Sequence, residues 1–174
     1  MKQMKWIGTV LILFVFVQCQ NQAKQTVLTT EQQIETLEQK LFGQNDEYNE
    51  QDAYRLMELY QRFADSLPDD KKTPDYLFKA ADISMFQMDG EKTIGFYDQI
   101  MEHYPNYPNA PMCLFLKAFV YDNRIGDTAM AHRFYSEFVR NYPDHEFADD
   151  AEVAIKNLGK SPEELIREFE SMNQ

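Results

Sequence analysis

A chain of 174 residues, 44% hydrophobic and 26% charged, has the make-up of one folded domain and not of a disordered or fibrous protein. Its formal charge of -12 repels phosphate backbones and anionic headgroups, which argues against nucleic-acid binding and against attachment to membranes through a basic patch. Only two cysteines occur, Cys19 and Cys113, which argues against a disulfide framework.

The first element is the apolar run Trp6 to Val17, preceded by Lys2 and Lys5. Its 12 residues fall short of the roughly 20 that a membrane-spanning helix needs, but match the core of a signal peptide with its positive flank. Cys19 follows directly. The stretch "FVFVQC" resembles the end of bacterial lipoprotein signals, whose cysteine is acylated and becomes the first mature residue. That resemblance implies a cleaved signal over 1–18 and a lipid attached to Cys19. The chain departs from the pattern at Gln18, where a small residue is usual, and at Phe16, where Leu is common; an ordinary cleaved signal is the alternative. Loss of Lys2 and Lys5, with no acid lost, takes the net charge from -12 to -14. Residues 19–30 lack periodicity and read as a flexible tether.

Beyond the tether, apolar residues recur at spacings of three and four, the period of helices packed on one side. The expected helices are 31–43, 51–66, 75–88, 91–103, 110–123, 127–141, 146–157 and 162–171. Prolines at 68, 74, 105, 108, 111, 143 and 162 mark the connections, because proline inside a helix costs about 3 kcal/mol. Gly43, Gly90, Gly126 and Gly159 fall where helix C-caps are expected. The last helix has the best-marked start: Ser161, Pro162 and Glu164 form an S-x-x-E capping box with proline at the first helical position. Ile34, Leu37 and Leu41 span under two heptads, too few for a coiled coil, so 31–43 is expected to pack on the helices that follow.

The chain repeats itself. Leu56, Tyr60, Phe63 and Pro68 have the same spacing as Thr93, Tyr97, Ile100 and Pro105, and as Ala131, Tyr135, Phe138 and Pro143. Offsets of four and three place the first three residues of each set on one helix face, and the proline then ends the helix. The intervening helices correspond as well: Leu77, Phe78 and Ala81 align with Leu114, Phe115 and Ala118. Small Ala81 and Ala118 permit close approach of a partner helix. Each unit is therefore a helix pair.

From about Leu56 to Leu158 these residues resemble the tetratricopeptide repeat, in which two antiparallel helices cross at a small residue and a proline follows the second. The form "A-x-x-x-Y-x-x-F-x-x-x-Y-P" at Ala131 to Pro143 resembles periplasmic tetratricopeptide (TPR) lipoproteins. That group includes the repeat domains of the outer-membrane β-barrel assembly lipoprotein and of the Tol-Pal-associated coordinator; the C-terminal stretch is similar to small lipoproteins of Bacteroidetes-type bacteria. The resemblance implies an all-α, right-handed superhelix of about three repeats, flanked by an N-terminal and a C-terminal capping helix over 31–174. It also implies a periplasmic protein anchored to the outer membrane. Thr93, where alanine is usual, and Ser84, where tyrosine is common, predict a loosely packed middle unit.

Catalysis finds little support. His103, His132 and His145 lack zinc-site spacing, and His103 and His145, which flank the Tyr-Pro turns, suit surface turns. Cys113, beside Leu114 and Phe115, has no basic neighbourhood to activate it and reads as core. Asp69-Asp70 and Asp149-Asp150 lack an alternating calcium-ligand pattern, and no phosphate loop or nucleophile elbow is present, so neither a cofactor nor a small-molecule substrate is expected. The resemblance instead implies a binding scaffold whose concave groove takes an envelope protein or an extended peptide segment. The corresponding groove positions are Asp75, Phe78, Asp82, Met85 and Phe86; Met112, Phe115, Phe119, Asp122 and Asn123; and Asp149, Glu152 and Lys156. Phe78 and Phe115 equally suit the core between repeats. A permanent structural subunit of an outer-membrane or Tol-Pal-like assembly is the alternative function.

Overall fold

Short-range sequence signals account for most helix boundaries in the computed structural model, which describes residues 28–43 and 48–172. The helices are α1 (Thr30–Phe42), α2 (Glu50–Ser66), α3 (Thr73–Phe86), α4 (Gly90–His103), α5 (Ala110–Val120), α6 (Thr128–Asn141), α7 (Ala148–Asn157) and α8 (Pro162–Met172). A π turn at Tyr121–Ile125 extends α5, and no strand occurs among the described residues. The segment expected to be a signal, Cys19 and most of the expected tether lie outside the described residues.

Side-chain caps explain several starts. Thr29 and Gln32 form a reciprocal capping box at α1, while Asn49, Asp89 and Asp127 accept the third helical N–H of α2, α4 and α6. At α8 the Ser161 N–H donates to Glu164 Oε2 at 2.8 Å and the Glu164 N–H to Ser161 Oγ at 3.2 Å, the box expected from the sequence.

The repeat extends to the backbone. Leu67, Tyr104 and Tyr142 end α2, α4 and α6 with nearly the same dihedrals, φ -136, -129 and -135 with ψ 60, 54 and 56. Each precedes a proline, whose ring pushes the preceding residue out of the helical region. In each connection the carbonyl of that residue accepts the N–H three positions on, from Asp70, Tyr107 and His145, and these residues' carbonyls accept from Thr73, Ala110 and Ala148. Three different sequences thus fold into one connection.

Consecutive helices from α1 to α7 pack on one another down the chain. Ala53, Ala81, Ala118, Ala131 and Ala151 are fully buried, as are Tyr60, Leu77, Tyr97, Ile100 and Phe138. Each large apolar side chain so removed from water contributes about 1.5–3 kcal/mol before entropy is counted. One cluster joins α1 through α5 and a second joins α5 through α7, with Met101 and Tyr121 touching both. Between them Lys117, 8% exposed, reaches Asp98 while its ammonium lies 4.2 Å from the centre of the Phe134 ring.

Three expectations need correction. Gly90 is no C-cap: it opens α4, and non-glycine Met88 takes the left-handed conformation after α3 at φ 63. A side chain at Gly90 would meet Val120, Arg124 and Ile125 at 3.3 Å, so close approach of α4 to the end of α5 explains the glycine. Gly126 and Gly159 do have positive φ, 78 and 74. The middle unit is not loose at Thr93 and Ser84; both are fully buried and both hydroxyls donate to the Asp89 carbonyl, at 2.7 and 3.1 Å. Finally, α8 caps no core: it packs on no other helix to a comparable extent and exposes Leu165 and Ile166.

Candidate functional site: a cleft between the first and third helices

α1 packs on α2 and reaches toward α3 through two ion pairs: Glu31 pairs with Lys72, the N-cap residue of α3, and Glu38 pairs with Lys79 within it. Beside the Glu38–Lys79 pair lies a cleft of about 400 Å³ lined by Glu38, Phe42, Tyr48, Tyr60, Lys79, Asp82, Ile83 and Phe86. Four of these eight residues, Phe42, Tyr48, Tyr60 and Phe86, are aromatic. Phe42 is 64% exposed and Phe86 69%, and Tyr48 stands edge-on to Phe86 with ring centres 4.9 Å apart.

The charges in the cleft are unevenly satisfied. Glu38 Oε1 accepts from Lys79 Nζ at 2.6 Å and from the Tyr60 hydroxyl at 2.7 Å. Burial, and then the bond to Glu38, push the Tyr60 hydroxyl far above its usual pKa. Asp82 has no hydrogen-bond or ion-pair partner among the described residues. It keeps access to water, yet the protein around it pushes its carboxyl up to about 6 from 3.8 by desolvation.

The expected groove residues divide into distinct settings. Asp82 and Phe86 line the cleft, and Met85 packs on the first cluster. Asp75 and Phe78 border a separate hollow where Asp75 accepts from the Tyr107 hydroxyl at 2.8 Å. Phe78 also lies half-buried 6.3 Å from the Tyr97 ring. On α5, Phe115 is held among the rings of Tyr135, Phe138 and Phe147 at 5.3–5.5 Å, and Phe119 packs on the second cluster. Met112 and Asp122 are half-buried, and burial raises the Asp122 carboxyl. Asn123, in the π turn, is exposed and donates to the Phe119 carbonyl. Asp149, Glu152 and Lys156 stand exposed along α7 with no polar partner among the described residues.

Sequence reasoning did not select Glu38, Phe42, Tyr48, Tyr60, Lys79 or Ile83. Treating α1 as a cap hid Glu38 and Phe42, Tyr60 was read only as a repeat core residue, and Tyr48 sits in a connection with no periodicity. The available signal was compositional: Phe42 and Tyr48 are aromatics bracketing a polar connection, where solvation normally favours other residues.

Other chemistry-bearing groups lie elsewhere. Cys113 is fully buried, and desolvation pushes its thiol up to about 12, opposite to the shift of a reactive cysteine. His145 is a turn residue whose Nδ1 accepts the Phe147 N–H at 3.2 Å. Among the described residues no group of three or more His, Cys, Asp or Glu is placed to hold a metal ion, and no helix is long and apolar enough to cross a membrane. Comparison with protein-family models finds no match, and comparison with curated proteins finds none either.

Proposed function

We propose that this chain is a non-enzymatic protein-interaction scaffold of the bacterial cell envelope, built as a tetratricopeptide-like superhelix and tethered to the outer membrane through a lipid on Cys19. Its partner is an envelope protein offering an extended or helical segment to the side formed by α1, α3 and α5. The observation that carries this reading is the open cleft between α1 and α3, where Phe42, Tyr48 and Phe86 remain exposed although nearby core positions are filled. Exposed aromatics clustered in a concavity are the usual anchors of a recognition site.

The alternative, a subunit permanently built into a larger assembly, calls for a continuous apolar outer face. Between α2 and α4 the surface mixes Met57 and Phe96 with Glu58, Gln61, Lys92 and Gln99, which favours the scaffold.

Crosslinking in cells followed by mass spectrometry of copurifying proteins tests the reading. Phe86→Ala removes an exposed ring and should release the main partner without unfolding the domain; unchanged capture would sink the assignment. Phe119→Ala should also reduce capture, but its core contacts require a parallel stability measurement. Labelling with a fatty-acid analogue tests the anchor, and a Cys19→Ala chain should take up none.

A further inference from the structure

The cleft between α1 and α3 holds an electrostatic imbalance. Lys79 is committed to Glu38, which also accepts from Tyr60, so two of the three ionisable carboxylate and ammonium groups neutralise one another. Asp82 is left as an uncompensated negative charge among aromatic walls. An apolar occupant would strip water from this carboxylate and give nothing back, and an anion would be repelled. A cation on an apolar stem answers both demands: its charge meets Asp82, its stem meets the rings, and ring faces attract positive charge.

We infer that the cleft receives a cationic side chain, an arginine of a partner polypeptide, with its guanidinium at Asp82 and its stem against Phe42, Tyr48 and Phe86. Arginine fits better than lysine because its weakly hydrated plane stacks on aromatic faces while its edge bonds a carboxylate. The volume of about 400 Å³ lies near the small end of ligand sites and accommodates one long side chain with part of an apolar neighbour. Charge points the same way, since a chain at -12 attracts basic segments at long range. This inference rests on the scaffold reading and adds the chemistry of its partner.

The test titrates the full 174-residue chain, followed by amide NMR shifts, with an acetylated and amidated leucyl-arginyl-phenylalanine peptide. Its counterpart carries citrulline, a neutral near-isostere of arginine. The arginine peptide should shift resonances of α1 and α3 and bind at least about tenfold more tightly than the citrulline peptide. Asp82→Asn should abolish that preference, Asp82→Glu should retain much of it, and Phe86→Ala should weaken both peptides. Equal binding of the two peptides at the cleft would overturn the cation and leave the scaffold reading intact. Preference unchanged in Asp82→Asn, or no shift with either peptide, would also overturn it, whereas the scaffold stands or falls on capture in cells. Tetramethylammonium chloride binding as tightly as the arginine peptide would refute a polypeptide occupant in favour of a small amine.

Discussion

Tyr60, Tyr97 and Tyr135 occupy the same place in three repeats and are all fully buried, but their hydroxyls meet different surroundings. The Tyr60 hydroxyl donates to Glu38 at 2.7 Å, whereas the Tyr97 hydroxyl is buried without a partner among the described residues. Removing each oxygen should therefore act with opposite sign. A hydrogen bond to a charged group is worth about 1.5–3 kcal/mol, and because Glu38 keeps Lys79 the cost of Tyr60→Phe should fall near the lower end, about 1–2 kcal/mol. An unpaired buried hydroxyl carries a desolvation penalty of about 1–3 kcal/mol, so Tyr97→Phe should stabilise the fold by about 1 kcal/mol. Urea unfolding followed by circular dichroism resolves a difference of this size if the m-value is unchanged between variants. Should Tyr97→Phe destabilise the protein as much as Tyr60→Phe, its hydroxyl is satisfied in solution and the reasoning fails.

Burial raises the hydroxyls of Tyr60, Tyr97 and Tyr135 above their ordinary 10.0. Their contribution to stability is complete below pH 10 and is lost as pH rises above it, because the unfolded chain then releases protons that the folded chain holds. Alkaline unfolding should begin above about pH 10 and shift upward in Tyr97→Phe; a curve flat to pH 12 would contradict this. Asp82 follows the same sign at lower pH: with its carboxyl raised to about 6, its protonated form supports the fold fully below 3.8, and that support is lost as pH rises through about 6. Asp82→Asn should thus raise the melting temperature at pH 7.5 but not at pH 3.5, and an equal rise at both would rule out the shift. Gly126→Ala meets no neighbour within 4 Å but must hold φ +78, so backbone strain alone should cost about 1 kcal/mol, or about 2–4 °C in melting temperature.

Helix identity was readable because it is set by local chemistry. Apolar spacing, the prolines after Leu67, Tyr104 and Tyr142, and the capping box at Ser161 act within a few residues of where they stand. The repeat was legible for the same reason, since equal spacings give equal helix faces and, as it turned out, equal connections. Gly90 marks the limit. Its spacing suggested a cap, but the requirement for glycine comes from Val120, Arg124 and Ile125, some 30 residues away.

The candidate site lay further beyond that limit. Asp82 and Phe86 could be selected from the face of α3, but their cleft is completed by Glu38 and Phe42 of α1 and by Tyr48. Whether a groove-facing aromatic is available or absorbed is likewise undecided by spacing: Phe86 is exposed, while Phe115 is enclosed by three rings from α6 and the connection after it. The sequence by itself determined the helices, their order and their internal faces, because those depend on neighbours three and four residues apart. Only the tertiary structure decided which buried hydroxyls are satisfied, which aromatics stay open to solvent and which carboxylate keeps an unanswered charge, because those depend on side chains that meet only after the helices stack.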